Sequence, residues 1–166
     1  MCYCRVIFVY SPPYIKELYI VSREPLGGRG TVKRRKGIYV LIIQVRQNIK
    51  VDVGALGEIT FTKGLYAYVG SAQTNLEQRV KRHLRNEKRK FWHIDYLLDN
   101  SSTKIIKVFY KEAAKPEECK TAESLSRKNK PIAGFGCSDC NCKSHLFHIE
   151  DYKFIQEAMQ VFPAET

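Results

Sequence analysis

Apolar residues occur in short blocks that are separated by turn-forming or charged segments. Residues 38–45 form an apolar run, broken only by Gln44 and rich in β-branched side chains, which is typical of a buried strand. Further strand-like blocks lie at residues 49–53, 59–62, 65–70, 105–110 and 144–149. Turn signals at 54–57 and 63–64 separate the early blocks. The pattern predicts that strands dominate the first part of the folded core.

Helical periodicity begins after the fourth of these blocks. Leu76, Val80 and Leu84 follow the i, i+4, i+8 spacing of one apolar helix stripe, and they predict a helix over 75–85. Further helices are predicted at 90–98, 116–128 and 152–162. From the order β-β-β, α-α, β, α we expect an α+β fold. It would have a small, mainly antiparallel three-stranded sheet flanked by helices, with additions at both ends.

The chain length of 166 residues fits one compact domain with a small extra segment. We expect an N-terminal extension and basic linker at 1–36, and a core domain at 37–149 that includes a Cys/His loop at 131–148. Residues 150–166 would form a C-terminal helix. No stretch approaches about 20 uncharged apolar residues, and no signal-peptide pattern is seen, so we expect a cytoplasmic protein without a membrane partner.

Charge changes the picture most. The 28 Lys and Arg residues outnumber the 17 Asp and Glu residues and give a net charge of +11. Such an excess favours a polyanionic partner, most often nucleic acid, although it also serves solubility alone. Seven of these cations lie within residues 79–90, and another block occupies 33–36. The residues predicted to contact phosphates are Lys81, Arg82, Arg85, Lys88, Arg89 and Lys90, together with Lys33, Arg34 and Arg35.

Arg79 and His83 differ from the other polar residues of the basic helix. At about 100° per residue they project onto the margin of the buried face, where a groove would lie. Lys81, Arg82 and Arg85 project toward solvent. For Arg79 the alternative is an arginine that only extends past the core to reach water.

An ordered set of motifs carries a resemblance to a known family. Gly37-Ile38-Tyr39 opens the first core strand, Tyr68-Val69-Gly70 closes a later one, and Arg79, His83 and Glu118 follow on predicted helices. This order resembles the GIY-YIG nuclease superfamily. Segments 53–57, 64–72, 92–98, 118–119, 134–140 and 144–147 resemble one little-characterised branch of it, domain of unknown function 123. That branch is common in archaea and is sometimes fused to base-excision endonucleases. The resemblance covers about residues 37–149.

The resemblance implies a set of catalytic roles. Glu118 would bind Mg²⁺ or Mn²⁺, Arg79 would contact the phosphate, and Tyr39 and Tyr68 would orient or deprotonate water. His83 takes the position that Tyr or His fills in the family, and it is an alternative base. One departure stands out, because some family members have Lys directly after the YIG motif, where this chain has Ser71. A tyrosine has an ordinary pKa near 10, so its use as a base needs a nearby cation.

Three glutamates compete for the role of metal ligand. On a helical projection Glu118 shares a face with Ala122 and Leu125, whereas Glu123 points to the solvent side. An inward carboxylate is unusual for a structural residue. Glu118 is therefore preferred over Glu117 and Glu123.

Ligand-type side chains cluster between residues 137 and 148. Cys137, Cys140, Cys142 and His145 have a spacing that suits part of a tetrahedral Zn²⁺ site, and His148 follows. A distant ligand would come from Cys119 or from the Cys2/Cys4 pair. Three states stay open for these thiols: a zinc site, one or two disulfides, or free buried thiols. The resemblance also allows His145 to line the active site, while His93 is interpreted as a structural histidine.

Three functions follow from these observations. The first is a metal-dependent endonuclease that hydrolyses phosphodiester bonds in DNA, in repair. The alternative is a catalytically weak or inactive nucleic-acid-binding module with the same fold, which the Ser71 departure motivates. The third is a zinc-stabilised protein-interaction domain. The net charge supports nucleic-acid binding under the first two and does not choose between them.

Overall fold

An antiparallel six-stranded sheet is the main feature of the structure, a computed structural model that describes residues 35–163 apart from 86 and 88. The strands are β1 (Gly37–Val45), β2 (Ile49–Asp52), β3 (Glu58–Phe61), β4 (Gly64–Ala72), β5 (Thr103–Lys111), β6 (Lys130–Pro131), β7 (Leu146–Ile149) and β8 (Gln160–Val161). The helices are α1 (Leu76–Leu84), α2 (His93–Leu98), α3 (Pro116–Ser126) and α4 (Lys153–Ala158). The strand order of the main sheet is β6-β7-β4-β1-β5-β8.

The expected small three-stranded sheet is wrong. The main sheet contains six strands, and β2 and β3 pair only with each other in a separate two-stranded sheet. The early blocks were predicted correctly as strands, but two of them form a hairpin between β1 and β4 that does not join the main sheet. Beside β1 and β4, the other four places in the main sheet are filled by β5 on the other edge of β1, by β7 beside β4, and by the two-residue strands β6 and β8.

The central position of β1 explains why its sequence is apolar apart from Gln44. Eight of its nine residues are buried. Tyr39, Leu41, Ile43 and Val45 face a hydrophobic cluster that includes residues of α1 and α2. The alternate residues, among them Val40 and Ile42, face a second cluster that includes residues of α3 and α4. Both faces of the sheet are therefore covered, which is the condition under which a strand has no polar face.

Helix α1 follows β4 closely and positions the basic segment. It begins after Asn75, whose side chain accepts a hydrogen bond from the Gln78 amide at 3.0 Å. Leu76 and Val80 are buried as the periodicity predicts, but Leu84 is 50% exposed. The helix ends at Leu84, and the buried place near its end is taken by His83.

The C-terminal segment differs from the single helix expected at 150–166. Helix α4 covers only Lys153–Ala158, because Met159 adopts an extended conformation and the chain continues into β8, which pairs with β5. The Phe162 amide donates to the Val108 carbonyl at 2.8 Å. The domain limits at 36 and 149 stay predictions, and residues 1–34 lie outside the described part. Within the described residues, no helix has both the length and the apolar character needed to span a bilayer.

Candidate active site

The register between β1 and β4 brings the two glycine- and tyrosine-containing motifs together. Tyr39 lies opposite Gly70, and a Cβ atom at position 70 would lie 2.5 Å from the Tyr39 Cζ and Oη atoms. Glycine is the residue at this position that leaves room for the ring. The Gly of the second motif is thus explained by the packing of the Tyr of the first.

Tyr39 contacts the basic helix through its hydroxyl group. The Oη atom lies 2.8 Å from His83 Nε2, within hydrogen-bond distance, and His83 is buried. The Tyr68 ring packs edge-on against the same imidazole, with 6.3 Å between the ring centroids. The predicted His83 therefore contacts both predicted tyrosines.

A cleft of about 610 Å³ opens at this end of the sheet. Four of the five predicted catalytic residues line it, namely Tyr39, Tyr68, Arg79 and Glu118. His83 joins them through its contact with Tyr39. The other lining residues are Ser71, Gln73, Thr74, Phe91, Trp92, His93, Lys115, Gly136, Ser138 and Asp139.

Glu118 points into the cleft from the first turn of α3. Its Oε2 atom accepts a hydrogen bond from Ser71 Oγ at 2.5 Å, and its Oε1 atom lies 3.3 Å from His145 Nδ1. Its side chain is 15% exposed. Glu117 pairs instead with Lys120 at 2.6 Å, and Glu123 pairs with the solvent-exposed Arg127 at 3.0 Å. Among the three competing glutamates, Glu118 is the one that lines this cleft.

Ser71 occupies the position at which some members of the resembled family have Lys. Here its hydroxyl donates to Glu118, so the residue contacts the candidate carboxylate directly. Glu118 Oε2, which accepts this hydrogen bond, and Oε1, which faces His145, each retain a lone pair, because each carboxylate oxygen can accept two partners. With Ser71 at this position, the Glu118 carboxylate can therefore still accept further partners.

Arg79 and Arg82 share one aromatic surface. The guanidinium carbon of Arg79 lies 4.3 Å from the centroid of the Trp92 ring, and that of Arg82 lies 4.0 Å from it. A guanidinium within about 6 Å of an indole face is attracted by the ring quadrupole. Trp92 thus fixes Arg79 at the cleft wall.

The tyrosines are protonated at neutral pH. Burial raises the pKa of Tyr39 well above its ordinary value, and the neighbouring Tyr68 and Glu118 raise it further. Burial and Glu118 likewise raise the pKa of Tyr68. Arg79 lowers both values, but it does not outweigh the desolvation. In this state the hydroxyl groups act as hydrogen-bond donors and acceptors.

Several residues predicted to contact phosphates instead form ion pairs with carboxylates of this chain. Both terminal nitrogens of Arg82 bind Asp95, at 2.9 and 2.8 Å, rather than facing solvent. Arg35 binds Glu77 at 2.5 Å, and Lys90 binds Asp99 at 2.6 Å. The solvent-facing projection was wrong for Arg82 because Asp95, brought beside it by α2, is completely buried and requires a cation.

The side chains of Lys81, Arg85 and Arg89 are exposed, as contact with the phosphates of a nucleic acid requires. Lys33, Arg34 and Lys88 lie outside the described residues. The nucleic-acid-binding roles of all these residues stay predictions.

A group of metal-ligand side chains lies directly behind Glu118. The sulfur atoms of Cys119, Cys140 and Cys142 and a ring nitrogen of His145 all lie within 4.8 Å of one another. Cys137, which the spacing placed in this set, instead directs its sulfur to the Phe135 carbonyl at 3.4 Å. Cys119, one of the two sources of a distant ligand that the sequence offered, completes the group from α3. Cys2 and Cys4 lie outside the described residues.

The loop that carries this group also closes the cleft. Gly136 has a left-handed φ of 76°, and a Cβ there would lie 3.0 Å from the His145 Cβ and 3.3 Å from the Tyr68 ring. Its amide donates to His93 Nδ1 at 3.0 Å, a structural role that the sequence interpretation assigned to His93. Burial lowers the pKa of His93.

Sequence reasoning missed Asp95 and Trp92. Asp95 accepts hydrogen bonds from the Phe91 and Trp92 amides at 3.0 Å each, in addition to those from Arg82. An acidic residue at the third position of a helix is a capping signal that could have indicated this role. No comparable signal exists for Trp92, because its contact with Arg79 depends on the packing of α1 against the segment before α2.

A comparison with known families agrees with the motifs. The family model described as Domain of unknown function DUF123 matches residues 38–165, more than half of the chain. No curated protein and no solved structure matches the chain.

Proposed function

The chain belongs to the DUF123 family, and because that description states no activity, we propose a function from the site itself: a metal-dependent endonuclease that hydrolyses phosphodiester bonds in DNA. The observation that carries the proposal is the convergence of Tyr39, Tyr68, Arg79 and Glu118 on one cleft. These residues come from four separate elements, β1, β4, α1 and α3. The same ordered set supports placing the family in the GIY-YIG nuclease superfamily. The resemblance also favours a role in DNA repair, and a cytoplasmic location is a separate part of the proposal.

The residues of the cleft fit a hard divalent cation. Mg²⁺ prefers oxygen ligands and is often bound through one or two carboxylates together with water and substrate phosphates. Glu118 supplies the carboxylate, and the hydroxyl groups of Ser71, Tyr39 and Tyr68 line the same space. When bound, Mg²⁺ or Mn²⁺ would polarise the phosphate and stabilise its developing charge.

The protein's own groups handle the phosphate and the attacking water. Arg79 is held against Trp92 at the cleft wall, where its guanidinium can bind a phosphate oxygen and stabilise the charge of the transition state. Tyr68 offers a neutral hydroxyl group that orients water or the phosphate. The contact that holds Arg79 against Trp92 and the packing of Tyr68 are in place before the substrate arrives, which limits the reorganisation that the reaction requires.

The contact between Tyr39 and His83 offers a route for the proton of the attacking water. Tyr39 Oη accepts from the water while it donates to His83 Nε2, 2.8 Å away. The raised pKa of Tyr39 disfavours a standing tyrosinate, so the proton passes through the hydroxyl to the imidazole. This assignment requires the His83 tautomer with its proton on Nδ1.

The decisive experiment compares the wild type with Glu118→Gln on a panel of labelled nucleic acids. The panel contains duplex, nicked, branched and single-stranded DNA and a matched RNA, each with Mg²⁺ or Mn²⁺. We expect wild-type cleavage of at least one DNA and a loss of about 100-fold or more in Glu118→Gln, with affinity retained. Glu123→Gln on the same helix is the matched control, and we expect it to cleave like the wild type. Cleavage that survives in Glu118→Gln would overturn the assignment.

A nucleic-acid-binding module is the second candidate. Ser71 stands where a lysine assists in some family members, and both tyrosines have raised pKa values, which favours slow or absent chemistry. This function predicts binding to the same panel without cleavage, and identical behaviour of the wild type and Glu118→Gln. The cleavage panel therefore separates the two functions directly.

A further inference from the structure

We propose that Cys119, Cys140, Cys142 and His145 bind one Zn²⁺ ion, and that this ion fixes the position of Glu118. The zinc site is distinct from the Mg²⁺ or Mn²⁺ site in the cleft. Its existence depends only on the geometry of the four side chains. The second part, the positioning of Glu118 for catalysis, rests on the proposed function.

The arrangement of the four ligand atoms matches a tetrahedral site. All of them lie within 4.8 Å of one another, and Cys140 Sγ lies 3.3 Å from His145 Nε2. With Zn–S bonds of about 2.3 Å, the edges of a tetrahedral site measure about 3.8 Å. Small side-chain rotations therefore suffice to bring all four atoms to bonding distance.

The donor set selects the metal. Three thiolates and one imidazole form a common structural zinc set, whereas Mg²⁺ takes oxygen ligands. Cys119 comes from α3, and the other three ligands come from the loop before β7. Zinc binding would therefore cross-link two segments that are distant in the chain.

A disulfide accounts for less of this arrangement. A bond between any two of the three cysteines would leave the third thiol and the His145 ring without a function in the cluster. Zinc uses all four groups. The buried imidazole, with one nitrogen toward the sulfur atoms, is the feature that a disulfide does not require.

His145 connects the cluster to the candidate active site. Its Nε2 atom faces Cys140, and its Nδ1 atom lies 3.3 Å from both the Val69 carbonyl oxygen and Glu118 Oε1, so the two oxygens share this side of the ring. Histidines that bind a metal through one nitrogen commonly donate the other N–H to a carboxylate, which orients both groups. Glu118 also precedes Cys119 directly in the chain. Zinc would thus restrain Glu118 both through the helix backbone and through the imidazole.

Metal analysis of the full chain tests the site. Protein purified from zinc-containing medium is analysed by mass spectrometry of its metals and by thiol titration. We expect about one zinc per chain in the wild type, loss of most of it in Cys140→Ser, and full retention in Cys137→Ser, because a structural site needs all four ligands. Cys137 is the matched control, since its thiol neighbours Cys140 and contacts the Phe135 carbonyl but is not one of the four mutually close ligand groups.

A second measurement avoids variants that fail to fold. Cobalt is exchanged into the wild-type protein, and we expect the intense visible and thiolate charge-transfer bands of a tetrahedral sulfur site. A zinc-free wild type with no such cobalt spectrum would overturn the proposal. Titration that finds a disulfide in place of reactive or zinc-protected thiols would overturn it as well.

Rescue tests the connection to Glu118. Cys142→Ser should lose zinc and at least tenfold in kcat with Mg²⁺, whereas Cys142→His, which can still bind zinc, should recover both. Zinc loss without any change in kcat would overturn the positioning role. A protein that binds zinc but cleaves no nucleic acid would leave the zinc site standing and reject the proposed endonuclease. Cleavage by a wild type that binds no zinc would support the endonuclease and reject the zinc site.

Discussion

The ion pair between Arg82 and Asp95 should be a main determinant of stability near the cleft. Asp95 is completely buried and accepts two hydrogen bonds from Arg82 and one each from the Phe91 and Trp92 amides. We predict that Arg82→Ala destabilises the protein strongly, because it leaves a buried carboxylate that only the two amides satisfy.

The magnitude follows from the bonds removed. Each hydrogen bond to a charged group contributes about 1.5–3 kcal/mol, which would give about 3–6 kcal/mol for the two bonds from Arg82. The Arg82 side chain is 26% exposed, and the two amides remain, so we expect roughly 2–4 kcal/mol instead. For a chain of this size the melting temperature should fall by about 4–16 °C.

Urea and thermal unfolding at pH 7 measure this effect. Lys63→Ala is the control, because Lys63 is an exposed cation in the turn before β4 and its loss should change the free energy of unfolding by no more than about 0.5 kcal/mol. An equally small effect of Arg82→Ala would refute the reasoning, since it would mean that water replaces the guanidinium at Asp95.

The pH dependence provides an independent check. Burial alone would raise the pKa of Asp95, but the hydrogen bonds from Arg82 and from the Trp92 and Phe91 amides hold it below its ordinary value. A carboxylate with a lowered folded pKa stabilises the protein above its unfolded pKa, and that contribution is lost as pH falls through the folded pKa. Arg82→Ala raises the folded pKa, so the stability difference from the wild type should shrink between pH 7 and pH 3. A stability difference that does not change with pH would contradict the assignment of Arg82 as the group that keeps Asp95 ionised.

Three further substitutions test single contacts. Phe91→Ala removes a ring that lines the cleft and is 76% exposed. It should lower affinity for single-stranded DNA by about 5- to 150-fold, since base stacking on an aromatic ring contributes about 1–3 kcal/mol; equal anisotropy shifts for the exposed control Phe154→Ala would contradict this. Gly70→Ala places a Cβ 2.5 Å from the Tyr39 ring and should cost about 1–3 kcal/mol in urea unfolding through overpacking, so wild-type stability would disprove the close packing. Tyr39→Phe removes the hydroxyl that contacts His83 and should lower kcat far more than DNA affinity, so an unchanged rate in single-turnover cleavage would exclude the proton route.

Individual elements could be read from the sequence, but their pairing could not. The run at 38–45 corresponds to β1, and 65–70 lies within β4, because apolar runs report burial directly. Nothing in that local pattern shows that β1 also pairs with β5, or that β2 and β3 leave the main sheet. Strand order depends on contacts between segments far apart in the chain, and periodicity carries no information about them.

In the candidate site, too, residues in local motifs could be predicted and contacts between distant segments could not. The motif order anticipated the cleft-lining Tyr39, Tyr68, Arg79 and Glu118, because each belongs to a recognisable local pattern. Cys119 was one of the two sources of a distant ligand that the sequence offered, but the absence of Cys137 from the four mutually close groups could not be predicted, since it depends on how α3 packs against the loop before β7.

The cleft joins parts of the molecule that should open at very different rates. Strands β1 and β4 are each hydrogen-bonded on both edges, so the amides around Tyr39 and Tyr68 should exchange with deuterium only on global unfolding. Helix α3, which carries Glu118, buries only Ala122 and Leu125. Its amides should exchange through local opening, and such an opening would remove the carboxylate from the cleft while the sheet stays folded. Local fluctuation of one helix could therefore switch the site off without unfolding the protein, and metal bound to Cys119 would suppress that fluctuation.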